Sequence, residues 1–525
     1  MRKHSECVEE AFSSLRYSIV WPVVFCAAAL MACYLTYDRA FSSYDDGVTA
    51  QGALMVLRGY VPYKDFWTIY PPGSYYVNAL MLWLLGEELL VIRLANLILV
   101  PVQAAFLWGI LSRTAAGPGV IALAGLGFAA FIPIGLNVTT PITYWFAFCA
   151  AAAYCLVRWI EKPSGLWAII CGAALGLSLL MRQDGGLYSA AVALLVIWAV
   201  APKLGARRWR HIGLVLTGMA VTAGTMVCYL AARGALIDML RDSLYFTVVK
   251  FPNSRRMPYP VPWEPQQLIS KYYAPLWIGF VYKAVTYYLW PAALALLAMI
   301  STKRLLGRCT DRAVLAYCAL ALMAAALFTM VLVRSQAMRT SGAVALGLVA
   351  MAGFWNDEHR LARIAARVTM AAAVAAFICF GVVTVLAQRN YSSSPMIVRG
   401  GIYAGRGYAD MISYVSVQVR KRTRPDERIL SGSPTIYFTS DRLPATRYYE
   451  PHPCFTDTTN VQRDIIRDME RNNVRLFVRS SEWTRDGFFT IERKNQPRIL
   501  IGYIRRHFRM ILDCGVFQIY ERKKT

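Results

Sequence analysis

The chain has 525 residues, 57% of them hydrophobic and 17% charged, with a mean hydropathy of +0.40. That balance excludes a water-soluble globular enzyme, and the gathering of apolar residues into blocks excludes a disordered or fibrous chain. The net charge of +25, from 56 Lys and Arg against 31 Asp and Glu, is read as basic loops lying on anionic membrane lipid, with no nucleic acid as partner.

The first apolar block, 17–37, is about 21 residues long, enough at about 1.5 Å per residue to cross a roughly 30 Å hydrocarbon layer. Arg2, Lys3 and Arg16 precede it, which predicts an uncleaved first span with the N-terminus inside. Further blocks lie near 89–111, 119–136, 141–160, 165–181, 187–202, 212–232, 284–301, 313–333, 341–356 and 366–388, making eleven. Alternating them from a cytoplasmic N-terminus puts Arg113, Arg158, Lys162 and the basic clusters at 203–210, 303–312 and 360–367 inside, as the positive-inside rule requires. An odd count places everything after about residue 389 outside. In that tail Val461, Ile465, Ile466 and Met469 share one helical face, and Val474–Val478 and Val516–Tyr520 read as strands. The expected fold is a polytopic α-helical membrane domain, 1–388, followed by a small extracytoplasmic α/β domain, 389–525, large enough to bury its own core. Most of the twelve cysteines fall in apolar blocks as small core residues, while Cys454 and Cys514 in the tail can pair if it lies outside the cytoplasm.

The loop between the first two spans, 38–88, gathers the reactive side chains. It carries Ser42-Ser43-Tyr44-Asp45-Asp46-Gly47, then Arg58-Gly59-Tyr60-Val61-Pro62-Tyr63-Lys64-Asp65-Phe66, then Tyr70-Pro71-Pro72-Gly73-Ser74-Tyr75-Tyr76. Two adjacent carboxylates beside a span are costly unless they act, although Asp before Gly-x-x-Ala also opens a helix well, and both readings stand. Residues 74–86 are too few to span and predict an amphipathic helix lying at the interface.

An acidic pair after the first span, the Pro62-Tyr63-x-Asp65-Phe66 segment and Tyr70-Pro71-Pro72-Gly73-x-Tyr75-Tyr76 together resemble the GT-C class of membrane glycosyltransferases. The nearest resemblance is to glycosyltransferase family 39, the bacterial relatives of protein O-mannosyltransferase and of the lipid A aminoarabinose transferase. Gly172-x-x-x-Gly176-Leu177-x-Leu179-Leu180-x-Arg182-x-x-Gly185 and Tyr437-Phe438-x-x-x-Arg442-x-Pro444-Ala445-Thr446-Arg447-Tyr448 extend it along the chain. One departure stands out: where the aminoarabinose transferase has Glu-Lys-Pro this chain has Ile69-Tyr70-Pro71, so no phosphate-binding lysine carries over.

The resemblance implies inverting transfer of a sugar from a polyprenyl phosphate to an acceptor hydroxyl of an envelope glycan, lipid or protein, at the outer face of a bacterial inner membrane. It implies Asp45 as general base and Asp46 as the residue orienting the acceptor. A lipid phosphate is already a good leaving group, so such a site needs one base and cations for the departing charge. Arg182 and Arg334 are the candidate cations, Asp184 being the competing partner of Arg182, with Tyr70 beside the donor and Tyr63, Lys64 and Asp65 placing the acceptor or the loop. Arg255, Arg256 and Arg339 read better as interfacial arginines snorkelling to water. The Pro-rich and aromatic stretch 251–263 reads equally as a flap over a lipid-bound sugar and as an interfacial anchor. No metal-ligand spacing appears among the five scattered histidines, and a divalent ion at the acidic pair is left open. The rival functions are a transporter or flippase of lipid-linked sugars and an envelope polysaccharide polymerase or ligase. A transporter is expected to carry ionisable residues along a midplane path, and the spans are nearly free of charge apart from Arg93 and Lys283.

Overall fold

The computed structural model describes residues 20–39, 41–114, 116–136, 141–250, 257–264, 275–450, 458–480 and 497–523. Helices stand on all eleven apolar blocks. Among the described residues nine are long and apolar enough to cross a membrane: α4 (Leu89–Leu111), α5 (Pro118–Gly135), α6 (Pro141–Glu161), α8 (Gln183–Leu204), α9 (Arg208–Ala232), α11 (Leu276–Leu306), α12 (Arg312–Val333), α13 (Ala337–Phe354) and α14 (Arg360–Tyr391). Two shorter apolar helices, α1 (Val20–Tyr34) and α7 (Gly165–Met181), occupy the first and fifth blocks. Polar caps set several starts: Ser164 accepts from the Trp167 amide, Asp311 from those of Ala313 and Val314, and His359 from that of Ala362.

The Gly172-x-x-x-Gly176 stretch of α7 is a packing device. A Cβ on Gly172 would stand 2.0 Å from the Val215 carbonyl oxygen, and one on Gly176 would stand 2.0 Å from Thr222 Oγ1. Only glycine lets α7 and α9 touch backbone to backbone, where lipid-facing helices gain from close van der Waals contact.

Between α1 and α4 the chain forms α2 (Asp45–Leu57) and α3 (Gly73–Leu85). The latter is the amphipathic helix expected at 74–86, with Leu80, Trp83, Leu84 and Leu85 exposed along one side. After α9 a π-helical segment, α10 (Leu240–Lys250), follows.

Past Tyr391 the tail forms a β-ribbon, β1 (Ser392–Pro395) with β2 (Tyr403–Gly405), and then α15 (Arg406–Arg422), β3 (Leu430–Ser431), α16 (Pro434–Ser440), α17 (Thr459–Arg471), β4 (Leu476–Ser480), α18 (Arg498–His507), β5 (Phe508–Asp513) and β6 (Phe517–Arg522). The four-stranded sheet runs β3-β4-β6-β5, with β3 parallel to β4 and the other pairs antiparallel. Val461, Ile465 and Met469 are buried on α17 as their spacing predicts.

The tail does not bury its core alone. Val48, Leu54, Phe66, Tyr75 and Leu82 of the first loop share one apolar cluster with Ile412, Val415, Ile436, Phe438, Val478 and Ile519 of the tail. A smaller cluster, around Val461, Met469, Val474 and Tyr503, belongs to the tail itself. The first loop and the tail are therefore one folded body at one end of the helices. Cys514 is a free thiol in the described residues, and Cys454 lies outside them.

Charge pins this body at its rim. Asp441, in the left-handed region at φ 55°, accepts from Arg399 at 2.9 Å and pairs with Arg58 of the first loop. Partial burial raises the Asp441 carboxyl, but Arg58 and Arg399 outweigh it and hold it below its ordinary value. Its stabilising contribution is thus complete above the ordinary carboxylate pKa of about 4 and is lost as pH falls through the lowered value. Acidification below about pH 4 is expected to expose the α2–α16 junction to protease. Asp441→Asn, which tolerates the same backbone conformation, should give the exposed pattern already at pH 7.

Candidate active site

The acidic pair divides into two different environments. Asp46 is buried at 3% exposure, and both its oxygens are taken: Arg93 Nε donates to Oδ1 at 2.9 Å, Arg93 Nη2 to Oδ2 at 2.5 Å, and the Ser42 amide to Oδ2 at 2.9 Å. Arg93 also donates to the Arg39 carbonyl at 3.0 Å, and Arg39 in turn donates to the Ser392 carbonyl at 2.5 Å. Asp46 is therefore a tie between α2, α4 and the start of the tail, with both its oxygens engaged within the protein. Asp45, half-buried, accepts from Ser42 Oγ at 3.2 Å, the one hydrogen bond its carboxylate makes among the described residues. Sequence reasoning met Arg93 only as a stray charge in an apolar block. The signal was available, because a lone guanidinium there needs a buried carboxylate and the acidic pair is the nearest source.

The second group lies where α7 meets α8. The chain turns at Arg182, whose Nε and Nη2 donate to Asp184 Oδ1 at 2.6 Å and Oδ2 at 2.7 Å, and Arg339 Nη1 of α13 stands 3.8 Å from the same Oδ2. Arg182 is 5% and Arg339 9% exposed, so Arg339 is not the snorkelling residue expected. Arg334, at the end of α12, and Tyr70, in the first loop, lie within electrostatic range of Arg339, and Tyr70 also lies within range of Arg182. The structure thus brings Arg182, Arg334 and Tyr70 together and adds Arg339. Among the described residues, Asp184 is the carboxylate that Arg182 and Arg339 share.

The first loop is fastened over this turn. A Cβ on Gly73 would stand 2.6 Å from the Leu180 carbonyl oxygen, so the glycine of Tyr70-Pro71-Pro72-Gly73 lets α3 start against the end of α7. Gln183 Nε2 donates to the carbonyls of Ile69 at 3.0 Å and Ser243 at 3.1 Å and to Thr247 Oγ1 at 3.1 Å, joining the loop to α10. Tyr63, fully buried at φ 69°, donates from its hydroxyl to the Tyr70 carbonyl at 2.7 Å. Asp65 accepts from the Val61 amide at 2.7 Å, and Lys64 donates to the Arg233 carbonyl at 3.0 Å. The contacts of Tyr63, Lys64 and Asp65 all shape the loop.

The tail closes the other side of Asp45. Thr435 Oγ1 donates to the Ser43 carbonyl, the Tyr44 hydroxyl to Glu450, and the Tyr449 hydroxyl to the Val48 carbonyl at 3.1 Å. Arg447, from the motif at 437–448, lies 3.3 Å from Asp242 of α10 and also donates to the Tyr63 carbonyl. Of the proline-rich stretch, residues 257–264 are held down by Lys283, which donates to the carbonyls of Val261 at 3.2 Å and Glu264 at 2.6 Å. Arg255 and Arg256 lie outside the described residues. Among the described residues no three His, Cys, Asp or Glu side chains converge, and with Asp46 held by Arg93 the acidic pair offers a cation only Asp45.

Residues 70–228 match the family model described as dolichyl-phosphate-mannose-protein mannosyltransferase. The fold is that of solved membrane transferases. ArnT from Cupriavidus metallidurans in the apo state is 14% identical over 95% of this chain and 97% of that one, with a TM-score of 0.56. The same protein bound to undecaprenyl phosphate is 15% identical over 96% and 98%, with a TM-score of 0.52. The Archaeoglobus fulgidus oligosaccharyltransferase in the apo form is 11% identical over 97% of this chain and 75% of that one, with a TM-score of 0.52. No curated protein matches by sequence. The chain shares the fold of these GT-C membrane glycosyltransferases, and residues 70–228 are similar to the mannosyltransferase family, the resemblance its first-loop motifs led one to expect.

The two aspartates predict opposite phenotypes. Asp46→Asn leaves Arg93 buried without its charge partner and is expected to cost roughly 3–5 kcal/mol, seen as loss of the folded protein in a detergent melting curve. Asp45→Asn should melt within about 0.5 kcal/mol of the parent. Equal melting losses would remove the distinction between them.

Proposed function

We propose that the protein transfers a sugar from a polyprenyl phosphate to an acceptor hydroxyl, with inversion, at the outer face of a bacterial inner membrane. The observation that carries this reading is the pair of buried arginines sharing one carboxylate beneath the first loop. Two guanidinium groups that converge at the edge of an apolar bundle offer several N–H donors at one point, and a lipid-borne phosphate is an anion whose oxygens can accept from both. The relatives support the choice of anion: ArnT was solved with undecaprenyl phosphate, and the archaeal oligosaccharyltransferase AglB with dolichol phosphate and an inhibitory peptide. A lipid-borne phosphate reaches such a site sideways between helices, with no nucleotide cradle needed.

In this mechanism the Asp45 carboxylate takes the proton of the acceptor hydroxyl as its oxygen forms a bond to the anomeric carbon. The bond from that carbon to the phosphate oxygen breaks, and the electron pair leaves with the polyprenyl phosphate. Arg182, with Arg339 and Arg334, stabilises the departing charge, and Tyr70 lines the donor. One base and no second acid suffice, because the leaving phosphate needs no proton.

Purified protein given a labelled polyprenyl-phosphate sugar and an envelope extract as acceptor is expected to release polyprenyl phosphate. Asp45→Asn should lower turnover by roughly 10²–10⁴ while leaving donor binding intact. Arg182→Ala should weaken donor use strongly, and Arg182→Lys should restore only part, since a point charge loses the two-pronged contact. Translocation of the lipid-sugar across vesicles without release, or turnover of a nucleotide sugar insensitive to Arg182, would sink the proposal. Reporter fusions at Arg210 and Arg424 are expected to report opposite compartments, with the tail outside. The same compartment at both positions contradicts an outer-face site.

A further inference from the structure

Glu450 is fully buried in the seam between the tail and the first loop. The Tyr44 hydroxyl donates to its Oε1, and Tyr44 directly precedes Asp45. Its carboxylate also acts electrostatically on the hydroxyls of Tyr75 and Tyr449. Tyr75 hydrogen-bonds Thr68 Oγ1 at 2.8 Å, and the Tyr449 hydroxyl donates to the Val48 carbonyl one turn into α2. Burial pushes the Tyr75 and Tyr449 phenols well above their ordinary range. On the other side of the same turn Thr435 holds the Ser43 carbonyl, and its backbone stands 2.4 Å from where a Gly47 Cβ would be, so no side chain separates α16 from α2. The first turn of α2 is thus gripped from the tail at Ser43, Tyr44, Gly47 and Val48, while the carboxylate of Asp45, between them, bonds only to Ser42 among the described residues.

A buried carboxylate is costly, and an apolar seam would dock the tail at lower cost. What a carboxylate adds is a strong, directional hydrogen bond to one hydroxyl. That bond restrains Tyr44 and so fixes the direction in which its neighbour projects. We propose that Glu450 is a positioning residue for Asp45, and that through it the tail is a working part of the transfer site. The inference rests on the proposed function, since it assigns Glu450 a role only if Asp45 is the base. Displacing a base by about 1 Å costs a catalytic step far more than it costs binding. Glu450 therefore acts on kcat, and the arginine cluster keeps the donor KM.

The test uses the full-length protein with a labelled polyprenyl-phosphate sugar and compares Tyr44→Phe, Glu450→Ala, Glu450→Gln and the double variant Tyr44→Phe/Glu450→Ala. Tyr44→Phe and Glu450→Ala are each expected to lower kcat about tenfold with donor KM within about twofold of the parent. The double variant should be no slower than the worse single one, because both remove the same bond. Glu450→Gln, whose amide oxygen still accepts from Tyr44, should recover most of kcat. Arg424→Ala, on the exposed tail surface, should leave kcat unchanged. Parental kcat in Tyr44→Phe, losses that multiply in the double variant, or a loss confined to KM would each overturn the assignment. If Glu450→Ala fails to fold, Tyr44→Phe and Glu450→Gln decide the matter by the same criteria. No release of polyprenyl phosphate by the parent protein overturns the glycosyl-transfer reading and this role with it. Release by the parent with kcat unchanged in the variants overturns only the role of Glu450.

Discussion

The Asp46–Arg93 ion pair is the joint on which the rest of the arrangement hangs. Arg93 projects from an apolar helix at about 1% exposure, and a buried guanidinium is tolerated only with a carboxylate and further acceptors in place. Asp46 supplies the first and the Arg39 carbonyl one of the second. Arg39 then reaches the carbonyls at the end of the last long helix, so one charge cluster ties together the exit of α1, the start of α2, the start of α4 and the beginning of the tail. With α2 held this way, Asp45 is left at the edge of the same turn, its carboxylate tethered among the described residues only to Ser42.

Charge is balanced there and shared at the other group. Asp46 and Arg93 neutralise each other, which suits a structural tie. Around Asp184 two buried arginines meet at one carboxylate, with Arg334 close by, and that convergence is what the proposed anionic ligand would use. The first loop connects the two groups physically: it begins at the Asp45 turn, passes through Tyr63 and Tyr70, and starts α3 against the turn that carries Arg182. The proposed base, Asp45, and the candidate phosphate cations are thus held by opposite ends of one short segment, with α10 and the tail braced against it at Gln183 and Arg447.

Much of this was legible in the amino-acid order because hydrocarbon imposes a strong constraint. An apolar run long enough to span forms a helix with few alternatives, so the eleven blocks and α3 emerge from hydropathy alone. Loop motifs pointed to Asp45, Tyr70 and Arg182, residues whose chemistry is local. What hydropathy does not carry is pairing across distance. The bond from Asp46 to Arg93 spans two helices, and Arg339 joins Arg182 from a helix far along the chain, so its burial is invisible in its own segment. The shared core of first loop and tail escaped for the same reason, since each half shows an amphipathic pattern without saying what covers it. Glu450 carried no motif at all, and only its burial beside Tyr44 distinguishes it.

The central claim is that the arginines around Asp184 hold a lipid phosphate. The most direct measurement is the ³¹P resonance of a polyprenyl monophosphate in detergent micelles, titrated with the protein and with its Arg182→Ala variant. A stoichiometric shift with the parent protein that is lost or made weak in the variant is the result expected. An equal shift with both proteins, or none with either, would contradict the account.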